Sequence, residues 1–352
     1  TDTLSLHDAL PISEGGRILL TPALVSAGSA LASVLGTAAR NDPFHMRSIS
    51  AEGAVEEVDR SDALLGALEQ AGIEGVISVV GGSAVTGLHA LSVAFKLHRR
   101  GLRTVCIPKS VENEVAGVPL ALGYNSVLSC VGEHLTRIRA AALDAGRLAV
   151  VEVPGQHAGW LALQAGMSAL ADVVLLPEIS ADLACVSATL DAHQSAGRTP
   201  ALVVVAEGAR LQGVDLPSTG PTDALRASLA PNADPALGGG SRVIDRSGTA
   251  AHAVAAGLAR LTGREALPIV LGLLARTGVA SQLDRQLGLA YGASAVRALL
   301  SGSDGVMLAF DPPKVHGIPM RDALSRVRAV ASDSELVHVA RALGISLGDG
   351  SR

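Results

Sequence analysis

Two apolar runs in this chain stop abruptly, and the residues after each stop constrain the architecture more than any other feature. Val105-Cys106-Ile107 meets Pro108, and Lys109, Ser110, Glu112, Asn113 and Glu114 follow at once. A short continuous apolar run suits a strand buried in a parallel sheet. The proline removes a ladder donor and is expected to end the strand. Open α/β sheets bind ligands beyond the carboxyl ends of their strands, which is where these polar residues fall. Val76-Ile77-Ser78-Val79-Val80, also expected as a buried strand, runs into Gly81, Gly82 and Ser83, a backbone that can approach phosphate closely. The runs at 148–153 and 201–206 lead in the same way to Pro154, Gly155, Gln156 and His157, and to Glu207 and Gly208. Four strand ends of one kind predict one parallel sheet in an α/β fold, with one cleft.

Composition agrees. The 352 residues suggest about two domains, at a prior of about 150 residues each. Apolar residues make up 48% and aromatic residues 2%, so the core must be built from Ala, Val and Leu. Thirty-nine glycines interrupt the apolar runs, which favours alternating strands and helices over a bundle. A net charge of −5 with no basic stripe argues against nucleic acid as a partner. Cys106, Cys130 and Cys185 fit neither a disulfide framework nor a zinc site, and a reducing cytoplasm is the expected setting. No apolar run reaches the about 18 residues that a membrane span needs.

Helical spacing predicts helices over 51–71, with Leu64, Leu65, Leu68 and Ala71 on one face, and over 86–99, ended by Gly101. A longer helix over 126–145 buries Val127, Val131, Leu135, Ile138 and Ala142 and crosses between two domains. Further helices are expected over 159–170, 183–196, 250–262 and 291–300, with strands at 173–178, 269–274 and, last, 306–310. Residues 322–330 and 336–343 are expected as surface helices. The stretch 211–246, rich in Pro, Gly, Asp and Ser, is expected to form loops. Trp160 is expected in the core or at a subunit contact, and Asp284 and Arg285 as an ion pair capping the last long helix.

In order and wording, these segments resemble the 6-phosphofructokinase family, whose strand ends read roughly GGDGS, TIDND, VEVMGRHAGW, a glutamate after a valine-rich strand, and a late QRGG…DR. The resemblance runs over residues 35–310. It implies two doubly wound lobes with mainly parallel sheets: a donor-side lobe of residues 14–145 plus 275–301, and a sugar-phosphate-side lobe of residues 146–274 plus 302–352. Residues 1–13 look like a translated sequencing adapter and are set aside. The resemblance then implies that the family's first strand and glycine loop are missing before Glu14.

The implied chemistry is phosphoryl transfer from ATP or pyrophosphate, with magnesium, to fructose 6-phosphate or a related sugar phosphate. By the resemblance Glu112 is the base. Ser110, Glu114, Arg147, Gly155, Gln156, Glu207 and Arg276 lie on the substrate side, Arg147 serving a neighbouring subunit's site. Arg40, Gly81, Gly82, Ser83 and Lys109 lie on the donor side, and no metal ligand is assigned. A homo-oligomer, or a hetero-oligomer with an active paralogue, is implied. This sequence departs from the family at several of these positions. Glu112 replaces aspartate, and a displacement of about 1 Å can cost about a hundredfold in rate. Ser83 replaces the acid near magnesium, and a neutral hydroxyl serves a hard cation poorly. Leu267 and Leu273 stand where a phosphate-binding Arg and His are usual, each charged hydrogen bond being worth about 1.5–3 kcal/mol. Ala84 matches neither donor class, while Lys109 resembles the pyrophosphate type. The expectation is a diverged phosphotransferase with negligible activity as given. The alternatives are an inactive phosphate-binding or regulatory subunit and a kinase of another sugar or polyol phosphate.

Overall fold

The computed structural model describes residues 4–6, 17–19, 42–49, 55–81, 84–214 and 248–351. The chain runs β1 (Leu4–Leu6), β2 (Arg17–Leu19), β3 (Met46–Ile49), β4 (Val55–Val58), α1 (Ser61–Gln70), β5 (Val76–Gly81), α2 (Ala84–Arg99), β6 (Thr104–Lys109) and α3 (Tyr124–Ala145). It continues with β7 (Leu148–Val153), α4 (Trp160–Ser168), β8 (Val173–Leu175), β9 (Ser180–Ala181), α5 (Leu183–Ser195), β10 (Leu202–Ala206) and β11 (Arg210–Leu211). After residue 247 come α6 (Thr249–Thr262), β12 (Ala266–Val270), a 3-10 turn (Gly272–Arg276), α7 (Gln282–Leu300), β13 (Val306–Asp311), β14 (Lys314–Pro319), α8 (Met320–Ala323) and α9 (Glu335–Ala342).

Two four-stranded sheets result, ordered β14-β13-β6-β5 and β12-β7-β10-β8. Every pairing in them is parallel except β13 with the closing strand β14. The fold is therefore α/β with mainly parallel sheets. The four strands expected in one parallel sheet divide between two: those at 75–80 and 105–107 share the first, and those at 148–153 and 201–206 share the second, because β5 finds its hydrogen-bond partner in β6 and β7 finds one in β10. β7 and β10 are buried along their whole length, as Val-rich strands covered on both faces should be. Leu148, Val150, Val203 and Val205 pack against α5 and α6, while Val151, Val153, Val204 and Ala206 face α3 and α4.

Helix α3 lies on β7 and also touches α7, which covers the first sheet. Its buried stripe is Tyr124, Val127, Val131, Leu135 and Ala142. Asp284 of α7 fixes its start by accepting from the amides of Gly123 (2.9 Å) and Ser126 (2.7 Å), so this acid caps a neighbouring helix instead of pairing with Arg285. The chain re-enters the first sheet with β13. It then returns to the second, where Ser346 exchanges backbone hydrogen bonds with Val174 (2.9 Å) and Asp172 (3.1 Å).

Several elements differ from expectation. Pro108 lies inside β6, not at its end, because its carbonyl still accepts from the Leu122 amide at 2.9 Å. β5 terminates its sheet's order and is only partly buried, with Val79 exposed. Residues 55–58 form a strand, and α1 begins only after Asp59 accepts from the Ser61 amide at 2.8 Å. The strand expected at 269–274 stops at Val270 and turns over as a 3-10 segment. Residues 306–311 and 314–319, expected with the second lobe, extend the first sheet, since β13 pairs with β6 at Val105 and Cys106. Of the helix expected over 322–330, only Asp322 and Ala323 are helical, as the end of α8. Among the described residues no helix is long and apolar enough to cross a membrane.

Candidate active site at the strand ends

The loop after β6 is a closed structure. The Ser110 amide donates to the Leu122 carbonyl at 3.1 Å, which brings both ends of the intervening segment onto the strand. Asn113, held in the left-handed region at φ 56°, ties the loop internally. Its side-chain Nδ2 donates to the Pro119 carbonyl at 2.9 Å, and its Oδ1 accepts from the Ala121 amide at 2.8 Å. The Ser110 hydroxyl accepts from the amides of Glu112 and Asn113, both at 3.1 Å, and donates to the Glu114 carboxylate. Glu112 and Glu114 are each 1% exposed.

The turn after β7 meets this loop. The Gln156 amide donates to Glu112 Oε2 at 3.1 Å, and the Gly208 amide, at the end of β10, donates to the Gly155 carbonyl at 2.9 Å. Gly208 is required there, because an added Cβ would collide with the Gln156 carbonyl. Burial pushes Glu112 up to about 8, the neighbouring carboxylates Glu114 and Glu207 push the same way, and the Gln156 amide and the Arg276 guanidinium oppose them. Glu114 is also raised, first by burial. The structure thus brings together Ser110, Glu112, Glu114, Gly155, Gln156, Glu207 and Arg276. A carboxyl group poised near neutrality beside a cation and a fixed amide can exchange a proton with a bound hydroxyl.

Lys109 is exposed at the mouth of this site, its backbone packed against Gly81. Arg147 is not part of the cluster. It precedes β7, at the opposite end of that strand, and its Nε lies 3.0 Å from the Glu265 carboxylate on the surface. Arg40, Gly82 and Ser83 lie outside the described residues. Leu273 is 82% exposed and Leu267 is 43% exposed. Cys106 is no nucleophile, since burial pushes its thiol up to about 12. Among the described residues no three acidic, His or Cys side chains are grouped to hold a metal ion. These residues do not by themselves fit the magnesium that the resemblance implies.

Three residues that hold the site were missed by the sequence reading. Glu178 accepts from the Gly159 amide (3.0 Å) and from the Val330 amide (2.7 Å). Glu152, 3% exposed, accepts from the Gly248 (2.6 Å) and Ala251 (2.9 Å) amides at the start of α6. Arg328 stacks on Trp160 at 4.0 Å. The Pro177-Glu178 strand end could have flagged Glu178. No local pattern marks the other two.

Comparison with known proteins places the chain in a family. Residues 23–299 match the family profile described as phosphofructokinase. The chain is 32% identical over 295 residues to the ATP-dependent 6-phosphofructokinase of Chloroflexus aggregans, covering 84% of this chain and 75% of that protein. It is 33% identical over 272 residues to the ATP-dependent 6-phosphofructokinase of Spirochaeta thermophila, covering 77% and 69%. The structure is similar to the pyrophosphate-dependent phosphofructokinase from Nitrosospira multiformis, with TM-score 0.66 at 19% identity, covering 94% of this chain and 78% of that one. It is also similar to the pyrophosphate-dependent phosphofructokinase from Marinobacter aquaeolei, with TM-score 0.63 at 18% identity, covering 90% and 73%. With 277 of its 352 residues inside the family profile, the chain belongs to the phosphofructokinase family.

Proposed function

We propose that this chain transfers a phosphoryl group from ATP or pyrophosphate to the free hydroxyl of fructose 6-phosphate or a closely related sugar phosphate, with Glu112 as the base. The observation that carries the reading is the buried Glu112 carboxyl, held by the Gln156 amide and raised to about 8 between Glu114 and Glu207. In the reaction the sugar hydroxyl gives its proton to the ionised Glu112 carboxylate, the form that prevails above about pH 8, and its oxygen forms the new bond to phosphorus. The bond from phosphorus to the donor's bridging oxygen breaks, and its electrons leave on the donor product. Arg276 balances charge beside Glu112, and the Gln156 amide keeps the carboxylate aimed.

Both donors are retained, because relatives named for ATP and structural neighbours named for pyrophosphate stand side by side. Exposed Leu267 and Leu273 supply no charge to a substrate phosphate, which supports slow turnover, and assembly of like subunits is part of the proposal. The test is phosphorus NMR of the chain with fructose 6-phosphate, magnesium and either donor. A new sugar phosphate ester growing with time supports the reading. Sugar phosphate binding without any ester formation contradicts it and favours the regulatory alternative.

A further inference from the structure

The segment after α8 threads between the two sheets and touches both sides of the acid site. Val327 bridges Val115, and the Arg328 amide donates to the Glu114 carbonyl at 2.7 Å. The Arg328 side chain turns back over the same loop, and its Nη1 donates to the Asn113 carbonyl at 3.2 Å. Its guanidinium lies 4.0 Å from the centroid of the Trp160 ring. Trp160 Nε1 in turn donates to the Arg328 carbonyl at 2.7 Å. Two residues on, the Val330 amide donates to Glu178, the carboxylate that also receives the Gly159 amide.

These contacts close a ring. The Gln156 amide joins the turn after β7 to the Glu112 carboxylate, that turn leads through Gly159 into Trp160, and Trp160 holds Arg328, which holds Asn113 and Glu114, the two residues that follow Glu112. Arg is suited to this place because a planar guanidinium can stack on a ring face and still donate in its own plane. Asn113 sits in a backbone region that L side chains adopt reluctantly, so its geometry must be held by its surroundings.

We propose that Arg328 is a positioning residue for Glu112, clamping the acid loop onto Trp160 so that the Glu112 carboxylate stays at the Gln156 amide. The proposal deepens the phosphotransferase reading and rests on it for its catalytic meaning. Among the described residues the charged groups facing Glu112 are Glu114, Glu207 and Arg276, and Arg328 is not one of them.

Trp160 is the only tryptophan in the chain, so its fluorescence reads the clamp without requiring turnover. In the intact chain a pH titration should show an emission transition that Glu112→Gln abolishes. Arg328→Met should abolish that transition or move its midpoint by about one pH unit or more. Arg328→Lys, which keeps the charge but loses the fork, should move it less and in the same direction. In turnover, Arg328→Met should lower kcat about tenfold or more while KM for the sugar phosphate changes little. A Met variant with the parent's midpoint, or a parent with no transition sensitive to Glu112→Gln, overturns the clamp. If Arg328→Met does not fold, an unchanged midpoint in Arg328→Lys overturns it. A parent that turns over no sugar phosphate sinks the phosphotransferase reading, and the fluorescence titration still decides the clamp.

Discussion

The Gln156 amide donates to Glu112 Oε2 at 3.1 Å, joining a loop from one parallel sheet to a turn from the other. That bond holds one oxygen of a buried carboxyl against the turn after β7. It also opposes the burial and the two neighbouring carboxylates that push Glu112 up to about 8, so the ionised form that can accept a proton grows as pH rises towards 8.

The first prediction concerns pH and stability. Glu112 would ionise near 4.5 in the unfolded chain and ionises at about 8 in the folded one. Its favourable contribution is fully present below pH 4.5 and is lost as pH rises to about 8, because the unfolded chain releases a proton that the folded chain keeps. Glu112→Gln keeps an acceptor for the Gln156 amide and removes this loss. Thermal melts should show the variant more stable than the parent by roughly 2–4 kcal/mol above pH 8 and about equal to it below pH 5.

Arg276 is the one cation found to lower the Glu112 pKa. Arg276→Ala should therefore shift the Glu112 transition to higher pH. The pH dependence of kcat and the Trp160 emission should move together, and a shift to lower pH would remove Arg276 from the site.

Gly208 packs against the backbone of the turn that carries Gln156. Gly208→Ala must displace that turn, and a shift of about 1 Å at a catalytic group is expected to cost about a hundredfold in kcat. Calorimetry alongside steady-state kinetics should show activity falling well before the fold is lost.

Glu178 receives the amides of Gly159 and Val330 and ties the Arg328 segment to the second sheet. Glu178→Ala leaves two amides without their acceptor and should lower stability by about 2–4 kcal/mol in urea unfolding, taking each unmade bond at about 1–3 kcal/mol with partial compensation by water. Glu178→Gln, which keeps one acceptor oxygen, should lose roughly half as much.

The strands and their polar ends were legible because burial on both faces writes a continuous apolar run, as in Leu148–Val153 and Leu202–Ala206. The stripe of α3 was legible because its period is helical. β14 and the strand at 55–58 were not, since Lys314–Pro319 and Glu56–Val58 are largely exposed pieces whose pairing partners alone make them strands. Glu112, Gln156 and Glu207 stand out at strand ends, and the roles of all three and of Arg276 were legible through the family resemblance. The contacts of Arg328 could not, because it meets Asn113 across 215 residues of chain and nothing local announces such a pairing.

The most direct measurement of the central claim is a coupled assay with fructose 6-phosphate, magnesium and ATP or pyrophosphate, comparing the parent with Glu112→Gln and Glu112→Asp. Turnover should be slow but measurable in the parent and lost by about a hundredfold or more in Glu112→Gln, with KM little changed. It should be kept or raised in Glu112→Asp. Equal turnover in the parent and Glu112→Gln would contradict the assignment of Glu112 as the base.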